Sequence, residues 1–366
     1  MTSKLSDICT FADGRIAVAD LDLTSYISTE NMLQNKEGIT RSAGLPTVNQ
    51  TQAYQAEDVL VSNIRPYFRK IWYADRDGGC SNDVLVFRAK ENVYPSFLYY
   101  LLSDDTFFDY ATATAKGTKM PRGDKGAIMR YEVPDLPLDI QIGIADTLAA
   151  LDARIAENRA INNHLEQLAQ AIWAERFGGL EPNGSLGDII ELFDFKRIPL
   201  SGNQRDKMEK IYPYYGAATL MDYVDNYLFD GVYLLLGEDG TVIDDLGFPT
   251  LQYVWGKFWV NNHAHILQGR NGFTVEILYT LLKQTSVASI VTGAVQPKIN
   301  QTNLKALAVV VPSEEEMQEF NNLIAPLFAQ IRENSDENRR LAELRDVLLP
   351  KLMSGELSVA DLGDAK

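Results

Sequence analysis

At 366 residues the chain exceeds one ordinary hydrophobic core and suits two domains with connectors. A net charge of −16 argues against a protein that coats nucleic acid unaided. The absence of an apolar run of about eighteen residues or an apolar leader leads us to expect a cytoplasmic chain with no membrane segment.

Residues 1–135 read as a mixed α/β domain. Asp58-Val-Leu-Val-Ser-Asn-Ile64 and Asp83-Val-Leu-Val-Phe87 are short β-branched runs that predict strands, and Asp77-Gly-Gly79 between them predicts a turn. Pro95 opens a helix running to about Asp104. A glycine-containing basic loop follows, from Lys116 to Lys125. Cys9 and Cys80 are the only cysteines, and neither has metal-ligand spacing, so reduced thiols are expected.

Residues 136–178 predict a long helix after Pro137, stopped at Phe177-Gly-Gly179. Residues 179–312 then repeat the earlier order of events. Ser185-Leu-Gly-Asp-Ile189 resembles Lys4-Leu-Ser-Asp-Ile8, and Gly231 to Leu236 stands where Asp58 to Ile64 stood. Val260 to Leu267 answers Cys80 to Phe87, and Ile277-Leu-Tyr-Thr-Leu-Leu282 answers Phe97-Leu-Tyr-Tyr-Leu-Leu102. The loop Thr292-Gly-Ala-Val-Gln-Pro-Lys298 answers Lys116 to Arg122. A second long helix occupies residues 313–355, opened by the capping-box spacing of Ser313 and Glu316. Residues 356–366 are expected to form a short acidic flexible tail.

The two long helices superpose with one shift. Leu151 and Leu327, Ile155 and Ile331, Asn158 and Asn334, Asn162 and Asn338, Leu165 and Leu341, and Leu168 and Leu344 are each 176 positions apart. Such an ungapped match, asparagines included, marks an internal duplication. Apolar positions step by three and four through Leu148, Leu151, Ile155, Leu165, Leu168 and Ile172, as in a coiled-coil seam. Asn158, Asn162, Asn334 and Asn338 fall within that stripe, so the helices are expected to pair antiparallel with these amides setting register. In the alternative, each helix packs on its own domain with the amides in water. The fold class is therefore α+β: two α/β domains of similar topology separated by two long helices, with a pseudo-two-fold internal repeat.

No catalytic constellation emerges: there is no P-loop, dinucleotide fingerprint or Asn/Asp-Pro-Pro-aromatic methyltransferase signature. His263 and His265 alternate along an expected strand without a third ligand, and Gly237-Glu-Asp-Gly240 reads as a turn with Gly240 at positive φ, so no metal site is assigned. The candidates for DNA contact are Arg65, Arg69, Lys70 and Arg76 around Pro66-Tyr-Phe68, and Lys116, Lys119, Arg122 and Lys125 in the first loop. In the second repeat they are Gln296, Lys298 and Asn300, where amide side chains suit adenine edges. Each group singly reads as solvated surface; recurrence at one place in both repeats favours function.

These features resemble the specificity (S) subunit of type I restriction-modification systems. The resemblance rests most specifically on Ile155-Ala-Glu-Asn158, Ile331-Arg-Glu-Asn334 and Leu348-Leu-Pro-Lys-Leu-Met-Ser-Gly355. The first helix lacks the Pro-Lys-Leu of the second, so its end contacts are expected to differ. The resemblance implies that each variable domain is a target-recognition domain reading one half of a bipartite double-stranded DNA site. It also implies that the helices bind two methylation (M) subunits, with or without two restriction (R) subunits. The chain itself would bind no cofactor; S-adenosylmethionine for adenine-N6 methylation, and ATP with magnesium for DNA cleavage, would belong to the partners. Helices of about 35 residues, roughly 50 Å, can span a DNA turn of about 34 to 36 Å. Two readings from other classes stand beside this one: a protein-binding scaffold and a solitary DNA-modifying enzyme.

Overall fold

The computed structural model describes residues 2–293 and 295–360, so Ala294 in the second loop and residues 361–366 of the tail lie outside the described residues. The chain divides into two compact units, Met1–Ala156 with Asn338–Lys366, and Glu157–Glu337. The central helix, Leu138–Phe177, and the distal helix, Glu314–Ser354, each contribute one part to either unit.

In unit 1 an antiparallel sheet has the order Cys9–Phe11, Val84–Ala89, Val59–Ser62, Ile71–Tyr73. Its middle strands are apolar at successive positions because both faces are covered. Val59, Val61, Leu85 and Phe87 face a core with Phe97, Phe107, Leu148 and Leu352. Leu60, Val84 and Val86 face the other way, onto Ile27, Tyr54 and Trp72. This second core is closed by a sheet of Arg15–Ala17, Gln50–Tyr54, Gly78–Cys80 and Tyr26–Ile27, whose last pair is parallel. Gly78 and Gly79 therefore lie in a strand, and the turn expected there falls just before it, at residues 74–77. Close packing requires the glycines: a Cβ at Gly78 would lie 2.3 Å from the Ser25 carbonyl oxygen.

Unit 2 repeats the first sheet strand for strand, in the order Ile190–Leu192, Ala264–Gly269, Tyr233–Gly237, Leu251–Val254. Leu234, Leu236 and Leu267 face Ile277, Phe320 and Phe328, while Tyr233, Leu235 and Ile266 face Phe229 and Phe258. The second sheet diverges. Here Tyr212–Tyr215 pairs parallel with Lys257–Val260, whereas the parallel pair of unit 1 joins Tyr26–Ile27 to Gly78–Cys80.

Within each unit the long helices pack on the domain and on each other. In unit 2 they run antiparallel, since Asn162 meets Asn334 and Arg176 meets Glu319. Asn334 donates from Nδ2 to Asn162 Oδ1 at 2.8 Å, and Asn162 donates to the Ile331 carbonyl and to Ser335 Oγ. Asn158 is fully buried and donates to Glu337 at 2.7 Å. In unit 1 Arg345 donates to Asp152 at 2.6 Å. The apolar seam departs from the expected stepping at one repeated place. Leu168 and Leu344 are each 47% exposed, and the buried stripe runs instead through Ala169 and Trp173. A helix turns once per 3.6 residues, so a stripe held by two steps of four after Leu165 leaves Leu168 on the flank.

Candidate nucleic-acid interface

The loop that sequence reading singled out in both repeats is built the same way in both units. In unit 1, Lys116 and Arg122 exchange two main-chain hydrogen bonds of 2.8 and 2.9 Å. Arg65 N then donates to the Pro121 carbonyl and Gly123 N to the Asn63 carbonyl. In unit 2, Thr292 and Lys298 exchange two bonds of 2.8 Å, Gly240 N donates to the Pro297 carbonyl, and Ile299 N to the Glu238 carbonyl. Each loop is thus a small closed hairpin tied to the segment leaving the strand Val59–Ser62 or Tyr233–Gly237. Its glycine is obligatory in the second copy: Gly293 has φ +87°, and a Cβ would lie 2.3 Å from the Gln296 carbonyl oxygen.

The candidate cations divide by what they touch. Lys119 is exposed at the loop tip with no ion pair among the described residues, whereas Arg122 is paired with Asp83 at 3.0 Å while remaining half-exposed. Lys116 pairs with Asp124, whose carboxyl is held at about 2 by that hydrogen bond and by the Ala127 amide. Lys125 lies 5.6 Å from the Phe11 ring and is exposed. Arg65 sits at φ +51°, with its guanidinium 5.9 Å from the Phe68 ring.

Three expected contacts are otherwise occupied, and one stands elsewhere. Arg69 donates to Asp105 at 2.8 Å, and Lys70 donates to the Thr29 carbonyl at 2.7 Å, with burial drawing its ammonium pKa down. Asn300 caps the short helix Gln301–Lys305 through Oδ1, accepting from Asn303 N, so it cannot offer a bidentate amide to adenine. Arg76 lies in the 74–77 turn, at the end of its strand opposite the basic loop, stacked 5.7 Å from Trp72.

In unit 2 Gln296 is exposed, and Lys298 reaches Glu238 at 3.2 Å. Behind them lies a buried ion cluster that sequence reading missed. His265 Nδ1 is 2.6 Å from Asp194 Oδ2, and its Nε2 donates to the Ile299 carbonyl oxygen at 2.8 Å. Asp194 also accepts from the Ile266 amide and from Gln301 Nε2. Arg197 bonds Glu238 at 2.5 Å and lies 3.4 Å from Asp194. Asp194, Glu238 and His265 have metal-ligand identities, but their lone pairs and protons are already matched by Arg197, Lys298 and one another. Burial acts to raise the Asp194 pKa, yet the His265 hydrogen bond and charge and the Ile266 amide outweigh it and hold the carboxyl below its ordinary range. The cluster anchors the loop, because Ile299 follows Lys298 directly. His263, expected beside His265 on one strand face, lies in the turn before the strand and bonds Asp239 at 2.6 Å. A second feature missed is Phe195, 78% exposed, with Lys196 held 5.8 Å from its ring.

A sequence profile for the type I restriction modification DNA specificity domain matches residues 1–167 and again 182–344. The chain belongs to that family. It is similar to a type I restriction enzyme specificity subunit of Haemophilus influenzae, 27% identical over 144 residues, which are 39% of this chain and 36% of that protein. It also matches the HindI specificity subunit of the same organism, 25% identical over 91% of this chain and 94% of the relative. The fold resembles the type I restriction-modification S subunit of M. genitalium, with TM-score 0.53 and 17% identity, over 96% of each chain. The two matched specificity domains are the two repeats, each carrying one closed loop. Among the described residues no helix is long and apolar enough to cross a membrane.

Proposed function

We propose that this chain is the DNA-recognition subunit of a cytoplasmic type I restriction-modification complex, in which each unit reads one half of a bipartite, asymmetric double-stranded site. The observation that carries this is the same closed loop, on the same sheet, with different side chains: Lys119 and Arg122 in one unit, Gln296 and Lys298 in the other. A shared scaffold with different polar ends suits two different base sequences. The long helices set the spacer and carry two methylation subunits, with or without two restriction subunits.

Paired features support two equivalent partners. Leu168 and Leu344, related by the repeat, stand equally exposed on the helices. Each unit also has a groove of about 530 Å³ at the same place in the repeat, one lined by Leu101, Tyr131 and Met353, the other by Leu281, Ala308 and Phe177. Chemistry lies on the partners in this reading. S-adenosylmethionine would be bound by the methylation subunits, and ATP with magnesium by the restriction subunits.

The test is methylated-base mapping of host DNA with and without the gene. Loss of one bipartite methyladenine motif on deletion is the expected result. If all motifs persist, and the complex assembled with its methylation partner shows no sequence-dependent DNA binding, the scaffold reading takes its place.

A further inference from the structure

Unit 1 holds a cleft of about 720 Å³ beside its basic loop. One wall comes from residues 28–46, which carry no regular helix and were silent to sequence patterning; Ile64, Ser81, Asp83 and, from the loop tip, Met120 also line the cleft. The wall is built rather than slack. Asn31 donates from Nδ2 to the Tyr26 and Thr40 carbonyls at 3.2 and 2.9 Å, and its Oδ1 accepts the Ser28 amide at 2.6 Å. Thr40 N returns a bond to the Asn31 carbonyl, Ser42 N donates to the Leu23 carbonyl, and Met32 is buried beneath. From below, Lys70 grips the Thr29 carbonyl, while the amides of Asn35 and Lys36 bond the carbonyls of Phe68 and Arg69. Lys36 and Arg69 share Asp105. The basic segment Arg65–Lys70 thus braces this wall.

Between the two pinned residues Thr40 and Ser42 stands Arg41, exposed, lining the cleft, and without an ion pair or side-chain hydrogen bond among the described residues. Its neighbours in the cleft include the carboxylates of Glu30 and Asp83. Asp83 is already paired with Arg122, whereas Glu30 has no ion pair among the described residues; a free carboxylate repels a phosphate and accepts from an exocyclic amine, so the Glu30 side of the cleft suits a base edge. An arginine on a braced backbone binds without the cost of ordering its main chain, and its fork matches the O6 and N7 acceptors of guanine. Resting on the reading of this chain as a DNA-recognition subunit, we propose that the cleft is the base-reading site of unit 1 and that Arg41 specifies a guanine in its half-site.

The experiment uses the full chain assembled with its methylation partner, and measures binding to duplexes carrying every single-base change across the site, at several salt concentrations. Arg41→Ala and Arg41→Gln should each turn one G·C position of one half-site degenerate. Discrimination there should fall from about 10- to 100-fold to under about 3-fold, with the other half-site unchanged and the salt slope preserved. Lys119→Ala serves as the contrast: it should weaken binding to all sequences alike and lower the salt slope by about one. If Arg41→Ala behaves as Lys119→Ala does, Arg41 is a phosphate contact and the proposal fails. It fails equally if the recognised sequence is unchanged in both Arg41 variants. Should the wild-type complex itself show no sequence preference, the recognition role falls, a result distinct from either of these.

Discussion

Asp194 shows what one side chain does when its partners come from three separate stretches of chain. It binds His265, the Ile266 amide and Gln301, and lies beside Arg197, so a carboxyl only 7% exposed stays ionised. Its folded pKa is depressed, so its contribution to stability is present above the ordinary carboxylate value of about 4 and is lost as pH falls through the lowered value. Melting of the wild type should therefore drop in temperature below about pH 4. Asp194→Asn should cost about 3 kcal/mol at pH 7, because it removes a buried counter-charge beside Arg197, and the gap from wild type should narrow as pH falls. A constant gap from pH 7 to pH 3 would show that the charge of Asp194 contributes nothing. From sequence His265 was legible only as half of a His-x-His pattern. Asp194 and Glu238 lie 71 and 27 positions before it, and nothing in local periodicity links them.

At the scale of the element, the long helices were legible almost to their ends, since Pro137 before and Gly178 after bound the central one and its apolar stripe repeats 176 residues later. Asn158 and Asn334 are buried in that stripe, while Asn162 and Asn338 are half-buried. The misplacement of Leu168 and Leu344 came from stepping three then four where the helix stepped four then four. The Asn162–Asn334 pair can be tested as a coupled unit. Asn162→Leu or Asn334→Leu alone should cost about 1 to 2 kcal/mol, because each leaves one group of the other amide, Asn334 Nδ2 or Asn162 Oδ1, without its partner. The double variant should recover much of that loss, with a coupling above about 0.5 kcal/mol in thermal or urea melts. Strictly additive losses would mean that the two amides act independently. Strands were legible by composition, but Gly78 and Gly79 misled, because glycine marks both turns and close strand packing, and only the atoms of Ser25 and Tyr54 choose between them.

For the whole molecule, duplication is the organising fact: two specificity domains, two helices, and two closed loops at matching positions. If the helices set the spacing of the half-sites, inserting four residues, about one helical turn, into each of them at matching positions near Asn158 and Asn334 should lengthen the DNA spacer. Both half-sites should stay the same when the methylated motif is mapped. An unchanged spacer in a folded, active complex would remove the ruler role. What the sequence by itself determined is whatever depends on neighbours a few residues apart or on self-comparison. These are the helices, the apolar strands, the repeat, the resemblance to specificity subunits and the location of both loops. Tertiary structure alone decided which polar groups remain available. Arg69, Lys70 and Asn300 are taken up by Asp105, the Thr29 carbonyl and the Asn303 amide, while Arg41 is left open. The reason is physical: a side chain's availability depends on every group within hydrogen-bond reach, and most of those groups are supplied by distant segments of the chain.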